Sequence, residues 1–441
     1  MLEFKKEEIE LEKSKTLYEK HTISDDLANQ AILEGMKRAR NLETKKKKFA
    51  PTKLLLIASI LIIAFITTIK NSEAMADYMA SIPGMETIVK FIRQDKGLLA
   101  AAENDYFQKV NISDEHGGIK VTIDSIIHDE RNLMVFFQYE AINKDHDFFL
   151  EKMNLLTLDK EILPNSPDFS SLEKDGESLK VAKFPLKENE ELPDKLIASF
   201  EFSENVKMLD RAHEVAFSID KEKFAEKEVY QLNETISVEG QKITVKELTL
   251  YPSQAEVYLE YDEKNSKRLF GFNDLELTDG SGRVWRPYKD KSFNLDNEKG
   301  TILQLESPYF SNPMELYLRF SSIRAVEKDE LWVEIDPVQR KILKAPKDGK
   351  ISGVFLRKDE LAIKVETNFD FLNNQIFMYA EDLNGNIIGD GKPFGAGGSH
   401  VNNYVTYHVP YPSEEAVQGP IRLKLLDYPA TIHKDVKLKV K

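Results

Sequence analysis

Val121-Thr122-Ile123, then Ile126, a polar break, and Val135-Phe136-Phe137-Gln138-Tyr139 form a figure that returns 122 residues later, Val121 corresponding to Ile243. The second copy reads Ile243-Thr244-Val245, Leu248 and Val257-Tyr258-Leu259-Glu260-Tyr261. Each copy is two alternating strands joined by a tight turn, with Val135, Phe137 and Tyr139 facing a core as Val257, Leu259 and Tyr261 do. Further on, 215–220 (Val-Ala-Phe-Ser-Ile-Asp) resembles 331–336 (Leu-Trp-Val-Glu-Ile-Asp), so each copy spans roughly 110–120 residues, the size of an immunoglobulin-like sandwich.

A third apolar pair, Val354-Phe355-Leu356 and Leu361-Ala362-Ile363-Lys364-Val365, is followed by Asn384-Gly385, a favoured two-residue turn. The expected fold is therefore mainly β, with tandem immunoglobulin-like domains at 111–222 and 223–340 and a third β domain at 341–441. Ahead of them, Met79, Ile82, Met85, Ile88, Val89, Ile92, Leu98 and Leu99 recur three or four apart, predicting two short helices within 71–110, broken near Pro83-Gly84.

Residues 54–69 carry no charge. Sixteen residues at about 1.5 Å each span roughly 24 Å, against a hydrocarbon core of about 30 Å. Snorkelling of Lys53 and Lys70 and extension of the helix through 49–52 close the gap, so 51–70 is expected to cross the bilayer, with Leu54, Ile60, Phe65 and Ile69 in the lipid. Lys37, Arg38, Arg40, Lys45 to Lys48 and Lys53 precede the segment, whereas only Lys70 follows it before Lys90. That asymmetry places the N-terminus in the cytoplasm and the C-terminus outside. The competing reading is a cleaved signal peptide, for which Ala74-Met75-Ala76 has the required small-x-small form, although the stretch before the apolar segment exceeds fifty residues.

The cytoplasmic part, 1–50, has a helix start at Ser24-Asp25-Asp26. Leu27, Ala28, Ala31, Ile32, Gly35, Met36 and Ala39 then occupy one half of the helical wheel, and the small ones let another helix approach closely. So short a tail buries such a stripe against a partner, or else lies on the lipid surface as a connector. The net charge of −14 divides as +3 over 1–53 and −17 over the remainder, which excludes nucleic acid as a partner of the bulk of the chain.

No cysteine occurs, so disulfides, thiolate metal sites and thiol nucleophiles are absent. The eight histidines (21, 116, 128, 146, 213, 400, 408 and 433) show no paired-ligand spacing and point to no metal or cofactor. Ser171-Leu172-Glu173-Lys174 fits a Ser-x-x-Lys pattern without its Lys-Thr-Gly companion and reads as a polar loop. The glycine-rich stretch at 389–398 is preceded by Asn386 and contains Pro393, where a phosphate loop needs glycine and Ser or Thr. No enzyme is expected.

The layout, with Ala74-Met75-Ala76-Asp77-Tyr78 followed by Ile82-Pro83-Gly84-Met85 just past the apolar segment, resembles a domain-of-unknown-function family of membrane-anchored proteins associated with extracytoplasmic-function sigma factors in Gram-positive bacteria. The resemblance covers 25 to about 140, and the later β domains look like the immunoglobulin-like extensions of that family. It implies an anti-sigma-like regulator whose tail, 1–50, holds a sigma factor while the outer domains sense or bind an extracytoplasmic ligand. The tail departs from one large anti-sigma class in lacking its His-x-x-x-Cys-x-x-Cys zinc pattern. The alternative expectation is a surface adhesion or envelope-binding protein whose tail only sets topology.

Overall fold

The computed structural model describes residues 95–441, apart from 144–145, 175–176, 188–189, 289–298, 358–359, 368–374, 389–403 and 411–418, together with Ile88 and Ile92. The tail, the apolar segment 54–69, the Pro83-Gly84 break and the glycine-rich loop lie outside the described residues. Among the described residues no helix is long and apolar enough to cross a membrane. The chain divides into two compact units, Met1–Met75 and Ala76–Lys441, and the second is mainly β.

That unit begins with helix α1 (Lys96–Glu103), capped by Asp95, whose Oδ1 accepts from the Leu98 amide at 2.9 Å. The first core follows. It contains β1 (Gln108–His116), β2 (Ile119–His128), β3 (Asn132–Ala141), β4 (Phe148–Leu156), β5 (Asp168–Lys174), β6 (Glu177–Pro185), β7 (Lys195–Glu204), β8 (Lys207–Met208) and β9 (His213–Ser218). One sheet runs β1-β2-β3-β6-β5; in the facing sheet β7 pairs with β4 on one edge and with β8 and β9 on the other. Val121, Ile123, Val135 and Phe137 from the first sheet meet Phe200, Phe202, Val215 and Phe217 from the second in one apolar core. Ser171 to Lys174, read as a loop, belong to the edge strand β5.

The second core contains β10 (Glu228–Val238), β11 (Gln241–Leu250), β12 (Ala255–Tyr261), β13 (Lys267–Phe272), β14 (Glu276–Asp279), β15 (Val284–Trp285), β16 (Gly300–Leu305) and β17 (Leu316–Glu327). Its first three strands reproduce β1 to β3 down to their irregularities. Register shifts fall between Lys109 and Ile112 and again between Gln231 and Glu234, with Asn111 (φ 51°) and Asn233 (φ 52°) left-handed at the two kinks. The hairpin turns Gly117-Gly118 (φ 57° and 85°) and Glu239-Gly240 (φ 45° and 82°) match as well. So do the cross-strand hydroxyl pairs Ser113–Thr122 at 2.8 Å and Thr235–Thr244 at 3.0 Å. Each of these correspondences keeps the offset of 122 residues seen from Val121 to Ile243.

The third core contains β18 (Trp332–Asp336), β19 (Lys341–Lys344), β20 (Ile351–Arg357), β21 (Glu360–Glu366), β22 (Phe377–Asp382), β23 (Ile387–Ile388), β24 (Tyr404–Pro410) and β25 (Ile421–Leu425). They form a β19-β18-β25-β22-β23 sheet and a β20-β21-β24 sheet around Val333, Ile335, Ile363, Phe377, Tyr407 and Leu423. The apolar pair read at 354–365 is the β20–β21 hairpin, and Asn384-Gly385 turns β22 into β23.

The final strand, β26 (Thr431–Lys439), leaves this core and pairs with β17, from Tyr317 opposite Lys439 to Arg324 opposite Thr431. The third core is thus inserted between two neighbouring strands of the second. Stretch 331–336, matched by sequence to 215–220, sits in the third core, and β26 takes the place beside β17 that β9 takes beside β7. Arg324 Nε bridges both oxygens of the buried Asp427 at 2.9 and 3.0 Å where the chain crosses between the cores.

Ile432 is buried in the second core. Ile432→Ala is therefore expected to cost the second core roughly 2–4 kcal/mol, read as faster hydrogen exchange at 243–259 while 361–365 keep their protection. A loss confined to 361–365 would show that the last strand serves the third core instead.

Candidate functional site

The sheet that contains β3 and the equivalent sheet that contains β12 differ on one face. Along β3 the residues Met134 and Phe136, which point away from the sandwich core, are apolar and buried, whereas their counterparts in β12 are the buried but charged Glu256 and the exposed Tyr258. The reason is α1: Leu98, Ala101 and Ala102 pack with Ile88, Ile92, Tyr106 and Phe107 onto Ile127, Met134, Phe136, Leu179 and Val181. The first sheet is therefore covered on both faces. Phe107 lies 5.1 Å from Phe136 between ring centres.

The same helix reaches the second core. A Cβ on Gly97 would stand 2.6 Å from the Ser307 amide nitrogen, so no side chain fits there. Lys96 Nζ donates to the Val284 carbonyl at 2.8 Å, and the Tyr106 ring packs at a tilt, 4.9 Å between centres, against Phe310 in a short 3-10 turn of the second core. The chain leaving α1 is held by Lys223, whose Nζ donates to the carbonyls of Asp105 at 2.6 Å and Phe107 at 3.1 Å.

Beneath α1 the two copies of the repeat touch through equivalent turns, β2–β3 of the first copy and β11–β12 of the second. Asp129 is fully buried; its Oδ1 accepts from the amides of Arg131 (2.8 Å) and Asn132 (2.9 Å), and its Oδ2 from the Ser253 amide across the junction (2.7 Å). Asn132 Nδ2 donates to Ser253 Oγ at 2.8 Å, Arg131 Nε to Glu256 at 2.7 Å, and Lys183 to Gln254. Buried polar groups so paired fix one relative placement of the two cores.

An acidic pair sits where α1 meets the second core. Tyr288 OH donates to Asp95 Oδ2 at 2.8 Å, and Glu306 Oε2 accepts from the Arg286 amide at 3.1 Å. Burial pushes the Asp95 carboxyl above its usual range against the pull of its hydrogen bonds and of Lys183. Burial and the neighbouring Asp95 raise Glu306 from 4.5 to about 7, with Lys96 opposing. Beside the junction lies a cavity of about 410 Å³ walled by His128, Asp129, Glu130, Glu190, Glu191, Leu192, Lys221 and Phe224.

The far end of the first sandwich holds a second cluster. His116 closes β1, His213 opens β9, and the rings stack in parallel with centres 3.7 Å apart. Asp114 Oδ2 lies 3.2 Å from His116 Nε2 and 3.3 Å from His213 Nδ1, and accepts the Glu214 amide at 3.1 Å. Burial lowers the pKa of His213, aided by His116 and opposed by Asp114, which favours the neutral ring.

Leu27, Ala28, Ala31, Ile32, Gly35, Met36 and Ala39, and Lys53, Leu54, Ile60, Phe65, Ile69 and Lys70, lie outside the described residues. The histidines looked scattered because 116 and 213 meet only when β1 and β9 close one edge of the sandwich. For the junction a signal existed: Met134 and Phe136 break the alternation that Glu256 and Tyr258 keep.

Residues 45–141 match a family model described as a domain of unknown function (DUF4179), and 227–352 match a family of unknown function (DUF5643). No curated protein matches the chain. Among solved structures, a conserved domain protein from Bacillus anthracis is similar at 14% identity and TM-score 0.37, over 54% of this chain and 84% of that one. A DUF4426 family protein from Pseudomonas aeruginosa is similar at 11% identity and TM-score 0.18, over 24% and 94%.

Because both junction carboxyls are raised, the docked helix binds a proton more tightly than the released one. Its docking is stabilised as pH falls below about 7, the value to which Glu306 is raised, and loses that contribution as pH rises through it. Exchange of the 98–104 amides, corrected for intrinsic rates, should be slower at pH 5.5 than at pH 8, with the difference reduced in Glu306→Gln. Stronger protection at pH 8 would reverse the assignment.

Proposed function

We propose that the chain is a non-enzymatic, single-pass membrane regulator: residues 1–50 hold a sigma factor in the cytoplasm, 51–70 cross the bilayer, and the β cores receive a signal outside. The observation that carries this reading is α1, the described element nearest the apolar segment, seated on the first core and pressed against the second. A stem fixed at such a junction feels any change in the placement of the two cores. A plain tether for an adhesin has no need of it.

Three further points support the reading. The match to DUF4179, a family associated with anti-sigma factors, begins in the lysine run before the apolar segment and ends with β3, so one family model spans the apolar segment, α1 and the first hairpin. The sandwich-like cores have the size and the two-sheet build of immunoglobulin-like domains, which suit binding at a cell surface. The lysine asymmetry about 54–69 supplies the orientation.

The tail decides between regulator and adhesin. Ala31→Asp or Ile32→Asp places a carboxylate in the apolar stripe, at a cost expected to exceed about a hundredfold in partner affinity. In cells lacking the native protein, either variant should reach the membrane yet leave the cognate sigma regulon on, as deletion of 1–44 should too. If transcription matches wild type in these variants while loss of the whole gene alters it, the tail is a connector and the regulator reading fails.

A further inference from the structure

We propose that Asp114, His116 and His213 form a binding site for one divalent transition-metal ion of the zinc class, clamping the two sheets of the first sandwich at the end away from α1. Three observations carry this. The ligand atoms, one from each residue, all lie within 4.8 Å of one another. A tetrahedral ion about 2.05 Å from its ligands sets them about 3.3 Å apart, and Asp114 Oδ2 stands 3.2 Å from His116 Nε2 and 3.3 Å from His213 Nδ1. Two of the three ligand–ligand spacings are therefore already in place, and the stacked rings, whose in-plane lone pairs run parallel, turn toward each other to share the ion.

Second, the nitrogens are unsatisfied. His213 is fully buried with neither ring nitrogen hydrogen-bonded, and His116 Nε2 is buried and equally unpaired, because its approach to Asp114 is close but not aligned as a hydrogen bond. Native interiors rarely tolerate such atoms. An ion takes up two of the three, His116 Nε2 and His213 Nδ1. A neutral stacked pair serving only as filler leaves all three unpaired beside a carboxylate that attracts a cation.

Third, the surroundings suit a cation. The Glu214 amide orients the Asp114 oxygen at 3.1 Å, the kind of outer contact that holds a ligating carboxylate. Lys160, a nearby positive charge, is engaged by Glu214 at 2.9 Å. Side chains of His116 and Asp114 keep 22% and 26% exposure, which leaves a water or an external ligand access to the remaining coordination position. His213 approaches from β9 of one sheet and the other two from β1 of the facing sheet, so the ion cross-links elements distant in sequence.

The test uses the untagged full-length chain in detergent, stripped with chelator and titrated with Zn²⁺ by calorimetry and with Co²⁺ by visible absorption. Wild type should take one ion per chain, show Co²⁺ ligand-field bands and melt at a higher temperature with Zn²⁺. Affinity should fall at least about tenfold in His116→Gln and in Asp114→Asn, with the bands lost and the melting temperature no longer raised by Zn²⁺. Asp114→Asn preserves shape, and metal-free circular dichroism of both variants checks the fold. No stoichiometric binding by wild type, or equal binding by wild type and both correctly folded variants, overturns the proposal.

Discussion

The contact of Gly97 with the backbone of Ser307 is the constraint on which the arrangement of the stem depends. A Cβ at this position would fall 2.6 Å from one main-chain atom and 2.8 Å from another, so the helix lies flush on the second core only because residue 97 has no side chain. From that point the rest follows. Asp95 reaches Tyr288, Lys96 reaches Val284, and the apolar face from Leu98 to Ala102 turns onto the first sheet. Removing about 100–200 Å² of apolar surface per large side chain from water makes this face the main source of docking energy. The polar contacts at its start select the seat.

Beneath the helix, the two cores meet as near-copies. The Asp129–Asn132 turn and the Tyr251–Gln254 turn have the same backbone closure, at 3.0 and 2.8 Å, and they face each other. Contacts between equivalent parts of duplicated units resemble those of a two-fold dimer, but here the chemistry has diverged. The first copy supplies the buried carboxylate of Asp129, and the second supplies the Ser253 amide that it needs. Neither core satisfies these groups alone, which ties the placement of one to the other. Among the described residues the inserted third core joins the second through β17 and β26 and the Arg324–Asp427 pair.

The β hairpins were legible because a buried-on-one-face strand writes its period of two directly into sequence, and duplication wrote it twice. The insertion was not legible. Strand β26 reads Thr-Ile-His-Lys-Asp-Val-Lys-Leu-Lys, with few apolar residues and no mark of which sheet it joins, while 331–336 happens to carry the alternation of β9. Pairing partners are set by tertiary packing, which local pattern does not encode. Met134 and Phe136 were visible as an unbroken apolar run, yet the element that covers them lies more than thirty residues away. Asp114, His116 and His213 carry no shared spacing, since the sandwich brings together ends of strands from opposite sheets.

The account rests on α1 being a separate, seated element whose position the two cores define. The direct measurement is residue-resolved hydrogen exchange of Gly97→Val in the full-length chain. The added side chain cannot be accommodated against Ser307, so amides 98–104 should lose most of their protection while 119–137 and 243–259 retain theirs. Unchanged protection of 98–104 would show that the helix does not depend on this seat. Equal loss across all three segments would show that it is part of the cores rather than a stem held between them.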